Sequence, residues 1–171
     1  MKKVRISAWG SLVVLALLLP AWGYDGVDVQ AVRKQAELGD PVAQSKLGVL
    51  YASGVGLAMD KEEAVRWYTR SAGQGYPLGQ WNLAFMYLRG DGVQEDFAKA
   101  EKLMRAAAEK GLANAQYDLG MMYLLGVGVS VDRGEADRWL RRAADQGYRE
   151  AQKMLREPAA ARQTPQKAFS A

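Results

Sequence analysis

The chain has 171 residues, of which 49% are hydrophobic and 25% charged, and a formal net charge of +4; these values suit one globular domain or a short stack of repeats. It contains no cysteine and no histidine, which excludes disulfide bridges, Cys/His zinc sites and the Ser-His-Asp and Cys-His nucleophile systems. No cofactor is expected.

At the N-terminus, Lys2, Lys3 and Arg5 precede an apolar run from Ser11 to Pro20 and the small residues of Ala21-Trp22-Gly23. That is the layout of a secretory signal peptide over residues 1–23, cut before Tyr24. The alternative is an uncleaved anchor, although the apolar run is about half of the ~20 residues a spanning helix needs. Cleavage predicts a periplasmic or secreted protein with no stable membrane insertion, and without cysteine at the cut site a lipoprotein anchor is excluded. Three of the 23 Lys+Arg and none of the 19 Asp+Glu lie in residues 1–23, so the remainder carries +1. The pI of 9.3 therefore belongs largely to the leader. No basic run with interleaved aromatics occurs elsewhere, and a nucleic-acid partner is not expected.

Residues 24–42 form an N-terminal capping half-repeat with a helix over Gln30 to Leu38. From there the chain repeats itself every 36 residues: Gly39, Gly75, Gly111 and Gly147; Gln44, Gln80, Gln116 and Gln152; Leu47, Leu83, Leu119 and Leu155; Tyr51, Tyr87 and Tyr123; Asp60, Asp96 and Asp132; Ala64, Ala100 and Ala136. A period of this length signals a solenoid. The repeats are assigned to residues 43–78, 79–114 and 115–150, followed by the start of a C-terminal capping helix at 151–158. Residues 159–171, rich in Ala, Gln, Pro and Thr without apolar periodicity, read as a disordered tail.

Each repeat reads as two helices. The first runs from Pro41 to Ser53, capped by Asp40 and stopped at Gly54. Asp60 opens the second, and Glu63 three residues on resembles a capping box, as does Glu135 after Asp132; Asp96 has Lys99 instead. Ala64, Trp67, Tyr68, Ser71 and Ala72 make one apolar stripe. Its counterparts are Ala100, Leu103, Met104, Ala107 and Ala108, then Ala136, Trp139, Leu140, Ala143 and Ala144. Arg66, Lys102 and Arg138 ladder the opposite, solvated face.

Ala43-x3-Leu47-Gly48-x2-Tyr51-x2-Gly54-x-Gly56, continued through Asp60, Ala64, Trp67, Ser71-Ala72 and Gly75, resembles the Sel-1-like repeat, a relative of the tetratricopeptide repeat. The departures are Gly79 for alanine, Leu103 for tryptophan, and Gly134. The resemblance implies an all-α, α/α solenoid of helix-turn-helix repeats, a right-handed superhelix of about seven to eight helices. It also implies a protein-interaction role: an adaptor or scaffold in the bacterial envelope, or an immunity protein that inhibits a toxic effector. Cysteine-rich relatives suggest an alternative, a cell-wall or β-lactam hydrolase. Paired cysteines mark that branch and are absent here, and no catalytic residue carries over.

The residues offer little chemistry of their own. Ser45, Ser53, Ser71 and Ser130 begin no Ser-x-x-Lys, and Asp60, Asp96 and Asp132 occupy cap positions. The far faces of the first helices are different. Val42, Ser45, Val49 and Ala52 correspond to Leu78, Trp81, Phe85 and Leu88, then to Asn114, Tyr117, Met121 and Leu124. Two of these helices are apolar nearly all round and must be covered, either by neighbouring repeats or by a bound protein. Trp81, Phe85, Tyr117 and Met121 are the candidate partner-binding residues. Lys46, Asn82 and Asp118, beside them at one repeated position, differ in charge and are candidates for specificity.

Overall fold

The described part of the chain, residues 27–156 of a computed structural model, is built from short helices punctuated by aspartate and glycine. The leader expected over 1–23, the cut before Tyr24 and the tail expected over 159–171 lie outside the described residues. In chain order the helices are α1 (Val29–Glu37), α2 (Pro41–Ser53), α3 (Lys61–Gly73), α4 (Pro77–Arg89), α5 (Phe97–Glu109), α6 (Ala113–Leu125), α7 (Arg133–Asp145) and α8 (Arg149–Arg156). There is no strand among the described residues. Packing runs between consecutive helices, and α2 also meets α4. The first helices α2, α4 and α6 thus alternate with the second helices α3, α5 and α7, each held by its neighbours as in a solenoid.

Local chemistry sets the helix ends. The first helices stop at Gly54, Gly90 and Gly126, with φ of 73°, 68° and 72°, a left-handed conformation in which a side chain would be strained. The second helices start at Asp60, Asp96 and Asp132, whose carboxylates accept the N–H groups of Glu63, Lys99 and Glu135 at 2.8, 2.9 and 2.9 Å. The reciprocal half of the expected capping boxes is not formed. The Asp60 and Asp132 N–H groups donate instead to the carbonyls of Tyr51 and Tyr123 at 2.9 and 3.0 Å. With that donor occupied, the Glu63 and Glu135 carboxylates turn to Arg66 and Arg138. Asp96 makes the same backbone bond to Tyr87, at 3.1 Å, so this connector clamp is independent of the residue three positions on.

The expected stripes form the interior. Ala64, Trp67, Tyr68, Ser71 and Ala72 are buried, as are Ala100, Met104, Ala107, Ala108, Ala136, Trp139, Leu140 and Ala143; Leu103 and Ala144 are half-buried. Two details explain departures from the period. A Cβ on Gly79 would collide with Ser71, and Ser71 stands where Ala107 and Ala143 occupy the other repeats. Its hydroxyl donates to the Pro41 carbonyl at 2.7 Å, and a Cβ on Gly79 would meet the Ser71 Cβ and the Ala72 nitrogen as well as that hydroxyl, so α4 approaches α3 too closely here for a side chain at position 79.

Glutamines join one repeat to the next. The Gln44, Gln116 and Gln152 amides donate to the carbonyls of Ala36, Ala108 and Ala144 at 3.1, 3.1 and 3.0 Å. Gln74 and Gln146 then donate to the Gln44 and Gln116 side-chain oxygens at 2.8 and 2.7 Å. In the middle repeat that donor is replaced by Lys110, whose ammonium goes to the Gly75 carbonyl. The Gln80 Oε1 atom is buried without a hydrogen bond, a costly arrangement for an amide oxygen.

Candidate functional site

The residues singled out from sequence all lie on the first helices, and packing divides them sharply. Trp81 and Phe85 on α4 are only 5% and 7% exposed and belong to the core shared with Leu88, Ala115 and Leu119. Neighbouring repeats therefore cover these two. Tyr117 and Met121 on α6 are half-buried, as is Asn82 on α4, while Lys46 on α2 is exposed. Val42 and Leu78, at 37% and 38%, extend the open part of the row. The period of the sequence brings these side chains onto one line, because each helix repeats the register of the one before.

The structure brings Trp81 into direct contact with both Phe85 and Asp118. The Trp81 and Phe85 rings meet edge to face, 5.1 Å between centroids and 86° between planes. The Trp81 Nε1–H donates to Asp118 Oδ2 at 2.8 Å. A parallel link one repeat earlier has Asn82 Nδ2 donating to Ser45 Oγ at 3.4 Å. Both links cross from one first helix to the next. Asp118 is itself only 7% exposed, and it forms no ion pair among the described residues.

Beyond Asp118 lie two residues that sequence reasoning missed. Tyr148, in the turn before α8, stacks on Tyr117 with 5.0 Å between centroids, and Glu150 stands in the first turn of α8. Glu150 follows Val42, Leu78 and Asn114 at the same register, so extending the row one step past the third repeat would have found it. Burial pushes the Asp118 carboxyl up to about 7, against the pull of its Trp81 bond. Tyr148 is pushed up to about 12 by burial and then by the charges of Asp118, Glu150 and Tyr117. Tyr117 is raised by burial, then by Asp118 and Glu150. Both phenols feel both carboxylates.

Elsewhere the exposed Arg66, Lys102 and Arg138 mark the outer helices, two of them paired to a glutamate three residues earlier. Among the described residues no helix is long and apolar enough to cross a membrane, and no group of three or more acidic, histidine or cysteine side chains could hold a metal ion.

Comparison with known proteins gives a consistent result. A family model described as Sel1 repeat matches three consecutive segments, residues 41–76, 77–112 and 113–148. No curated protein matches the chain. Among solved structures, a Sel1 repeat protein from Oxalobacter formigenes is 38% identical with a TM-score of 0.68, over 75% of this chain and 96% of that one. A protective antigen present in uropathogenic Escherichia coli strains, displaying an SLR fold, is 38% identical with a TM-score of 0.71, over 76% of this chain and 28% of that one. The Helicobacter pylori cysteine rich protein B shares the fold at 20% identity and a TM-score of 0.60, over 76% of this chain and 98% of that one.

Proposed function

This chain belongs to the Sel1 repeat family, and on that premise we propose that it acts by holding a partner protein along its row of first helices. Sel1 repeat proteins are protein–protein interaction modules and generally non-catalytic scaffolds. The observation that carries the reading is the open stretch of the row: Lys46 exposed, and Asn82, Tyr117 and Met121 half-buried on successive first helices. Tyr117 and Met121 lie four residues apart and share a helix face, and aromatic side chains are over-represented among residues that dominate binding.

The setting proposed is the cell envelope, with residues 1–23 as a cleaved leader, and the role that of an adaptor or of an inhibitor of a toxic effector. Charge variation at Lys46, Asn82 and Asp118, against a repeated scaffold, suits selection of one partner. The test is co-purification from envelope extracts with the double variant Tyr117→Ala/Met121→Ala beside the unaltered chain. A partner retained by the unaltered chain and lost by a variant that still melts cooperatively supports the reading; equal retention overturns it. A neighbouring effector gene argues for the inhibitor, an envelope-assembly operon for the adaptor.

A further inference from the structure

We propose that the Trp81–Asp118 hydrogen bond is a proton-controlled latch between α4 and α6, closed while Asp118 is protonated and loosened when it ionises.

The repeat itself sets the position of this bond. Ser45, Trp81 and Tyr117 share one register of the first helices, and Asn82, Asp118 and Met154 share the next. One link position therefore recurs between successive first helices, with different chemistry each time. Between α2 and α4 it is neutral, Asn82 Nδ2 donating to Ser45 Oγ at 3.4 Å. Between α4 and α6 it is ionisable, Trp81 Nε1–H donating to Asp118 Oδ2 at 2.8 Å. Between α6 and α8 the pair is Tyr117 and Met154, and Tyr117 stacks on Tyr148 instead. The helices α4 and α6 also approach each other less closely than α2 and α4 do. Trp81, braced edge-on by Phe85, spans the space between them. The ionisable link thus stands at a junction carried by side chains.

Protonation decides whether the link is favourable. Asp118 is 7% exposed, and the indole that orients it carries no countercharge. A protonated carboxyl still accepts the indole bond through its carbonyl oxygen and is tolerated in apolar surroundings. An ionised one without a cation is not. Burial is the larger influence on this carboxyl and the indole bond the opposing one, and together they bring its titration to about 7. Its titratable neighbours do not supply a charge. Tyr117 on its own helix and Tyr148 in the turn before α8 are phenols raised further by burial, and Glu150, Arg149 and Lys153 on α8 are exposed. From α5 and α7, Arg105 is held by Glu101 and Tyr123, Lys110 by the Gly75 carbonyl and Arg138 by Glu135. From α4 comes the uncharged indole. No ion pair reaches Asp118 among the described residues.

Below about pH 7 the folded chain therefore keeps the proton and the link holds; above it, a buried and unpaired charge remains until water reaches it. Each repeat of a solenoid is held by its neighbours alone, so the relief is a local opening between α4 and α6. Asn82 rides on α4, and Tyr117 and Met121 on α6, so the latch also sets the spacing of the proposed partner surface. That consequence rests on the reading of the row, whereas the latch does not.

The test follows the Trp81 indole N–H by nuclear magnetic resonance in the full chain, from acid to mildly alkaline pH, assigned with Trp81→Phe. The Trp139 indole, bonded to Glu135 at 2.9 Å, is the internal reference. The Trp81 resonance should inflect near pH 7, and above that its solvent exchange should outrun that of Trp139 by about tenfold or more. Both effects should vanish in Asp118→Asn, which has the neutral chemistry of Asn82. No inflection, an inflection near the ordinary 3.8, or exchange that keeps step with Trp139 throughout overturns the latch. So does an inflection that survives in Asp118→Asn. The unaltered chain can refute the latch by itself, whether or not Asp118→Asn folds. No partner enters the measurement, so its failure leaves the reading of the row standing.

Discussion

Trp81 on α4 and Asp118 on α6 are joined by a 2.8 Å hydrogen bond that ties two consecutive first helices through a carboxylate only 7% exposed. The bond satisfies the indole and orients the acid, yet the charge stays uncompensated. Asp118 therefore has opposite effects on packing and on electrostatics, and the two can be separated by titration.

Asp118 binds its proton more tightly in the folded chain, at about 7, than in the unfolded one, whose ordinary value is 3.8. A raised carboxyl makes the folded state hold more protons than the unfolded state between those limits. Its contribution thus favours folding most below about pH 4, declines as pH rises to about 7, and is level above that, with a span of at most about 4 kcal/mol. Asp118→Asn keeps the acceptor for Trp81 and should abolish this decline. Urea unfolding at a series of pH values checks it: the variant should gain on the unaltered chain with rising pH, and parallel curves would contradict it.

The orphaned Gln80 Oε1 predicts a stabilising substitution. Gln74 donates both to the Gly39 carbonyl and to Gln44 Oε1, each at 2.8 Å. Lys110→Gln should reproduce that pair toward Gly75 and Gln80, and raise stability by about 0.5–1.5 kcal/mol. Differential scanning calorimetry should show a higher melting temperature; a lower one would mean that the lysine contact outweighs the orphaned oxygen.

Gly79 and Ser71 should behave as one unit. Gly79→Ala alone forces a methyl into the Ser71 hydroxyl and Cβ and against the Ala72 nitrogen, and should cost about 1–3 kcal/mol. Ser71→Ala alone loses the bond to Pro41. Together they recreate the alanines at the equivalent positions one repeat later, Ala107 and Ala115, and remove the hydroxyl part of the collision, so the double variant should be more stable than the sum of the singles by about 0.5–3 kcal/mol. Additive denaturation midpoints would show that the close approach is not felt.

Burial separates scaffold from surface along the row. Phe85→Ala should cost about 3–5 kcal/mol, whereas Lys46→Ala should stay within about 0.5 kcal/mol of the parent. Thermal melts of both decide it. A Phe85→Ala protein that melts like its parent would place the ring outside the inter-repeat core.

Much of the fold was legible because the solenoid writes each contact onto the same register. The period located the glycine stops, the aspartate caps and the buried stripes, and Pro41–Ser53 is the helix found. Contacts between unlike positions left no such trace. Trp81 meets Asp118 across 37 residues and Gln74 meets Gln44 across 30, and neither separation is a multiple of the period. The capping boxes failed for a related reason: Tyr51 and Tyr123 carbonyls, remote in pattern, had already taken the aspartate N–H groups. Of the candidate residues, Lys46, Asn82, Tyr117 and Met121 remain on the open row, and Trp81, Phe85 and Asp118 are packed beneath it.

Whether a partner lies on that row is decided by photocrosslinking in cells that express the full chain, with a benzophenone amino acid at Asn82 or Met121 and, for comparison, at Lys102 or Arg138 on the outer helices. A discrete adduct from Asn82 and Met121, absent from the outer positions, is the expected result. An adduct from Lys102 or Arg138 with none from Asn82 or Met121 would place the partner on the other face and contradict the reading.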